Sequence, residues 1–516
     1  MAISSIFNDV IGPVMRGPSS SHSAAACRMG LLLHDLMKGE VTDMVIDYDP
    51  NGSLVTTHES QGTDMGLYGG LLGWQADDER MMQYRESIEA SGINIKVNYL
   101  SYGAEHPNNY RISISNPSIT HTVSAISIGG GMMEIQEIDG SKVSINGDYH
   151  ELLIYGSNPD LIENLLPEVD CDFKITAASF IELKSARPYT PEIIAKIEAI
   201  VGVTNVCYLK PVLPVLSRKD LEVPFLTCKE MMAVGQEQGL ELWELALLYE
   251  SARGGVSEFE VFENMRSLLK IMQDGIEEGL QGTYYEDRIL PVQSLGFKDK
   301  MERKTLLDGG MLNTIVLYTT AMMEVKSSMG VFIAAPTAGS CGTLPGAILG
   351  AAKEMACKED EIVKAMLASG MMGAFISEHA TFSAEVAGCQ AETGAGGSMA
   401  AAGLVTLMKG TLEQCVAASS LALQNSLGIV CDPIGNRVEA PCLGKNVMAA
   451  SNALSCANMA LANYEHLIPF DEVVQTMNEV GEMMAHELTC TGLGGLAATP
   501  TAKAIEAKLK EKAKYC

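Results

Sequence analysis

CDPIGNRVEAPC, residues 431–442, sets two cysteines eleven positions apart with Asp432, Pro433, Gly435 and Pro441 between them. Proline lacks an amide hydrogen and glycine is costly to order, so no regular helix runs through this stretch. The chain on either side is strongly helical in pattern. The segment therefore reads as a shaped loop inside a helical domain, and it raises the question of why a rigid loop should carry two thiols.

Working outward, residues 226–516 read as one large all-α domain. KEMMAVGQEQGLELWELALLYESA and SEFEVFENMRSLLKIMQDGIEEGL have helical apolar spacing, and the second opens with Ser257 and Glu260 in capping-box positions. Three glycine-rich polar segments interrupt the pattern: APTAGSCGTLPGA (335–347), GCQAETGAGGSMAAAG (388–403) and the opening loop. Each reads as a non-helical loop running into a helix, where free amides favour anions. Cys389, Cys431 and Cys442 all lie in these loops, and converging loop thiolates suit an iron–sulfur cluster. On spacing alone, a metal site and a set of buried thiols are equally good readings; zinc is a rival, although its ligands are usually close-paired. Cys357, Cys415 and Cys456, in helical stretches, read as buried small residues.

The bulk composition narrows the function. At 516 residues the chain is long enough for two or three domains, and 47% hydrophobic against 19% charged residues is an ordinary globular balance. A net charge of −28 disfavours nucleic acid and anionic lipid as partners. No apolar run is long enough to cross a bilayer, and MAISSIFNDVIGP carries an acid where a signal peptide is basic, so a cytoplasmic protein is expected. Thirteen cysteines, an odd number, argue for reduced thiols rather than a disulfide framework.

Residues 1–150 mix strands and helices as an α/β or α+β domain. Residues 151–225 alternate as strand, helix, two strands, helix and strand, a small ferredoxin-like (ACT-like) βαββαβ unit. Within the first domain, RGPSSSHSAAACRMG (16–30) puts Ser19, Ser20, Ser21 and His22 before a helix. One serine there is an N-cap; three, with a histidine, point to a site for a small carboxylate and an acid or base. THESQGTDMGLYGGLLG (57–73) and AEHPNNYRI (104–112) add His58, Gln61, Thr63, Asp64, His106 and Asn108, in segments that read equally as turns.

Taken together, these segments give the chain a family likeness. It resembles the iron–sulfur-dependent L-serine dehydratases (L-serine ammonia-lyases), β part followed by α part on one polypeptide. GPSSSHS, HPN and SIGGG are similar to the β-part motifs; PTAGSCG, GCQAE with SMAAAG, CDP with PC, and GLGGLAATPT follow the α-part motifs in order. The resemblance implies a 4Fe–4S cluster on Cys389, Cys431 and Cys442, with one iron left for the serine hydroxyl, and no pyridoxal phosphate. It implies loss of water to aminoacrylate, which collapses to pyruvate and ammonia. His22, His58 and His106 are then the acid/base candidates. Ser19, Ser20, Ser21, Thr63, Asp64, Asn108 and Ser340 are the candidates for holding substrate, between the two parts. The expected partners are a small amino acid and a second copy of the chain, with neither nucleic acid nor membrane.

Three positions depart from that pattern. Gln61 stands where the family commonly has the histidine of GHGTD, Cys490 where a glutamate is usual, and Cys516 ends a longer charged tail than the family's terminal cysteine. Gln61 and Cys490 keep two alternatives open: the same chemistry on L-cysteine or L-threonine, and a non-catalytic iron–sulfur or amino-acid sensor.

Overall fold

A computed structural model describes residues 3–156 and 158–513; Cys516 lies outside the described residues. The sequence folds into two sheet-bearing parts and a helical body. Alternating apolar residues build the first sheet, of six strands, in the spatial order Asn94–Tyr99, Asp43–Tyr48, Asn109–Ser115, Thr120–Gly129, Met132–Ile138 and Ser141–Ile145. Only its first pair is parallel. Period-2 patterning turns Met44, Ile46, Ile112, Ile114, Val123 and Ile135 to one buried face, which packs with helices Ala25–Leu36 and Thr63–Leu71.

The next part runs His150–Gly156, helix Pro159–Leu165, Phe173–Thr176, Phe180–Ser185, helix Pro191–Glu198 and Val203–Leu209. Its strands lie in the order fourth, first, third, second, all antiparallel, as in a ferredoxin-like unit. One face buries Leu152, Ile154, Ile181, Leu183 and Val206 with Ile162 and Ile197 of its two helices. The other face sends Leu153, Phe180, Cys207 and Leu209 into the core of the first sheet, so this unit is docked rather than tethered.

The helical body is built around Thr393–Leu407, apolar on all sides and therefore central. It packs against Glu359–His379, Leu412–Gln424 and Cys442–Leu461. The capping box at Ser257 forms: its Oγ accepts from the Glu260 amide at 3.2 Å, and Glu260 accepts from the Ser257 amide at 2.9 Å. Residues 3–15 belong to this body rather than to the sheet. Ile6, Phe7, Val10, Ile11 and Met15 enter the helical core, and Val14–Met15 pairs antiparallel with Phe332–Ile333.

Some sequence readings change here. The glycines of 388–403 were expected in a loop, but only 388–392 is non-α, and Gly394, Gly396, Gly397 and Gly403 are helical. They serve close packing. A Cβ on Gly403 would sit 2.3 Å from Ser369 Oγ and 2.9 Å from the Ala365 carbonyl of the neighbouring helix. Likewise Thr343–Met355 absorbs the end of the 335–347 segment. Cys415 and Cys456 are buried in helices, whereas Cys357 lies half-buried in the turn after Met355, because left-handed Ala356 has ended the helix. Among the described residues, no helix is long and apolar enough to cross a membrane.

Candidate active site

The 388–403 and 431–442 segments of the helical body meet at one buried point. Cys389 sits in a short 3-10 turn preceding the central helix, Cys431 on the extended chain before Pro433, and Cys442 at the first position of helix Cys442–Leu461. The sulfurs of Cys389 and Cys431 and a Glu392 carboxylate oxygen lie within 4.8 Å of one another. Cys442 is close enough to Cys389 to feel its charge, which adds to burial in disfavouring the Cys442 thiolate. A fourth thiol, Cys490, joins Cys389 and Cys431 in the same small cluster and is hydrogen-bonded to Cys431.

Backbone hydrogen bonds clamp these loops together. The Gln390 amide donates to the Ile429 carbonyl at 3.0 Å and the Cys431 amide to Leu488 at 2.8 Å. Asp432 accepts from the Leu496 amide at 2.8 Å and from Lys445 Nζ at 2.5 Å. That ammonium also stands 3.9 Å from Cys389 Sγ, so a positive charge faces the thiols.

The chemistry of this donor set fits an iron–sulfur cluster. Hydrogen bonding to Cys389 and to Cys490, with burial, holds the Cys431 thiol well above its ordinary range; burial does the same to Cys442. Buried thiols held neutral by one another need a strong cationic centre to ionise, and soft sulfur donors select iron–sulfur clusters or zinc.

The N-terminal part supplies the other wall. His22 is fully buried, with Nδ1 2.9 Å from Ser19 Oγ and 3.5 Å from Glu385 Oε1, and Nε2 2.9 Å from Thr57 Oγ1. Thr57 spends its hydroxyl proton on the Ser53 carbonyl at 2.7 Å. Its oxygen must then accept from His22, which assigns the proton of neutral His22 to Nε2 and leaves Nδ1 as the lone-pair nitrogen. Burial lowers the His22 pKa, against the opposing pull of Glu385. The serine run reads as an N-cap, and Ser19 stands at that position, but its hydroxyl makes no cap hydrogen bond and lies against His22 instead.

The remaining candidates divide. Ser20 Oγ accepts from the Ala338 amide at 3.2 Å, tying the serine turn to the helical body, and the Ser21 carbonyl accepts from Ser127 at 2.7 Å. Ser340 Oγ closes its own turn on the Ala335 carbonyl at 3.1 Å. His58 is held by Asp64 at 2.9 Å and Tyr99 at 2.9 Å, and lines an outer cavity of about 580 Å³. His106 Nδ1 accepts from the Asn108 amide at 3.1 Å, close enough to Glu385 to feel its charge. Thr63 opens the helix behind Gln61, near Tyr110. Both side-chain polar atoms of Asn108, and Oε1 of Gln61, are buried without a partner among the described residues.

Sequence reasoning missed Glu385, Glu392 and Thr57. The two carboxyls lie four residues before and three after Cys389, a spacing that an eye on helices could have read as flanking one ligand. Loss of water around Glu392, partly offset by Thr337 donating at 2.6 Å, raises its pKa to about 7. Between the two parts, Gly129 of the SIGGG turn, at φ +102°, is pressed so close to Ser383 that a Cβ would meet its amide nitrogen at 3.0 Å.

Comparison with known proteins gives a consistent picture. A family model for the serine dehydratase alpha chain matches residues 237–497. The probable L-serine dehydratase alpha chain of Bacillus subtilis is 33% identical over 285 residues, 55% of this chain and 95% of its own. The L-serine dehydratase alpha chain of Peptoniphilus asaccharolyticus is 35% identical over 280 residues, 54% of this chain and 96% of its own. L-serine dehydratase 2 of Escherichia coli is 25% identical over 494 residues, covering 93% of this chain and 96% of its own length.

Proposed function

The chain belongs to the serine dehydratase alpha chain family, and from that premise we propose that it is a cytoplasmic lyase converting L-serine to pyruvate and ammonia on a 4Fe–4S cluster held by Cys389, Cys431 and Cys442. The observation that carries the reading is the meeting of buried thiols from the 388–403 and 431–442 segments with a histidine–carboxylate pair and the unpartnered buried amide of Asn108. When bound, such a cluster supplies a Lewis-acidic iron that makes hydroxide a tolerable leaving group.

The chain's own groups do the rest. Asn108 and Gln61 offer buried donors and acceptors that a zwitterionic ligand would satisfy. His22 Nδ1 is the site that receives the α-proton, directly or through the Ser19 hydroxyl, and Glu385 stabilises the imidazolium that results. Seclusion between the two parts excludes water while the carbanionic charge develops.

Iron, acid-labile sulfide and pyruvate release measured on anaerobic protein test the reading. Cys431→Ser should lose both iron and activity, and a variant that keeps full activity would overturn the assignment. A second reading keeps the chemistry and changes the substrate, because Gln61 and Cys490 put an amide and a thiol where the resembled family has a histidine and a glutamate. Turnover of L-serine, L-threonine and L-cysteine on one preparation separates the two.

A further inference from the structure

Gln61 and Cys490 are the two internal departures from the resembled pattern, and the fold brings them into contact. Gln61 Nε2 donates to Cys490 Sγ at 3.6 Å, across 429 positions of sequence. Cys490 is 5% exposed and lies among Cys389, Cys431, Ala384 and Ile429. Its thiol is hydrogen-bonded to Cys431 on one side and to Gln61 on the other.

The placement is built rather than incidental. The Cys490 amide donates to the Ala384 carbonyl at 3.3 Å, and the Cys431 amide to Leu488 at 2.8 Å, so each loop holds the other. Gly492 and Gly495, both at positive φ, press against Asn436 and Asp432, where a Cβ would meet side-chain atoms at 2.0 and 2.6 Å. A segment clamped this tightly against the Cys431 loop presents its sulfur to the same centre. Gln61 adds a donor that stays uncharged and cannot compete as a base. An amide N–H directed at sulfur fixes where that sulfur points, the usual role of a group one layer outside a metal ligand.

We propose that Cys490 is a fourth thiolate of this centre at rest, and that Gln61 is the positioning residue that holds it. The inference rests on the cluster reading of Cys389, Cys431 and Cys442. Its consequence is a centre with four protein sulfurs in the absence of substrate, the Cys490 sulfur occupying the position that substrate must take.

The test compares wild type, Cys490→Ala and Gln61→Leu, each purified anaerobically, assayed for iron and sulfide, then exposed briefly to air. Electron paramagnetic resonance counts the three-iron form that appears when dioxygen oxidises a cluster with an unprotected iron. Wild type should convert slowly, Cys490→Ala about tenfold faster or more, and Gln61→Leu at a rate between them. If Cys490→Ala does not fold, faster conversion in Gln61→Leu than in wild type carries the inference. Equal rates in wild type and the folded variants would overturn the fourth ligand and leave the three-cysteine reading standing. Wild-type protein without iron under strict anaerobiosis would overturn both.

Discussion

Glu385 Oε1 stands 3.5 Å from His22 Nδ1, so a carboxyl group of the helical body reaches the lone-pair nitrogen of a histidine in the N-terminal serine turn. Ser383 holds the other carboxylate oxygen at 2.7 Å. Neither part contains this pair alone, so it exists only where the two parts dock.

Glu385→Gln removes the charge that opposes burial at His22. The base must be unprotonated to work, and without Glu385 its pKa falls, so the acid limb of kcat/KM should move to lower pH. The imidazolium loses its partner as well, and kcat should fall by about tenfold or more. A pH–rate profile of the two proteins checks this; an acid limb that stays in place would remove His22 as the base.

Gly403→Ala should destabilise the helical body without touching the site. The added methyl meets Ser369 Oγ and the Ala365 carbonyl across a close helix contact, and overpacking of this kind costs about 1–3 kcal/mol. Thermal unfolding of the variant should begin at a lower temperature while its iron content at low temperature is unchanged.

Glu250 is buried where its carboxylate accepts from Ser5 Oγ at 2.5 Å and the Ile6 amide at 2.8 Å. Burial nevertheless raises its pKa from 4.5 to about 7. The folded protein therefore binds a proton that the unfolded chain releases, and stability falls as pH rises across that window. The contribution is complete below about 4.5 and lost as pH passes 7. It amounts to something on the order of 3 kcal/mol. Denaturant titrations at several pH values should show this decline, and Glu250→Gln should flatten it.

Much of this architecture was legible in the residues. The 3.6-residue periodicity marked the helical body, the alternation through 150–209 marked the small sheet, and the cysteines beside proline and glycine marked the loops that meet. The 388–403 glycines were misread because the same residue signals a turn and a tight helix crossing, and only the neighbouring helix decides between them. Glu385 was passed over because its spacing from Cys389 says nothing of the His22 it meets across the two parts. The Gln61–Cys490 contact could not be read at all: each residue was visible as a departure, but a pairing between the two parts exists only once they dock.

The segment 3–15 carries a last consequence. Its apolar side chains fill the helical core, while the chain continues from it directly into the serine turn and the first sheet. Severing the polypeptide between the small unit and the helical body would thus leave two fragments that still share a core. The leading dozen residues would act as a plug carried by one fragment and seated in the other, so the fragment bearing the thiols would be incomplete without its partner.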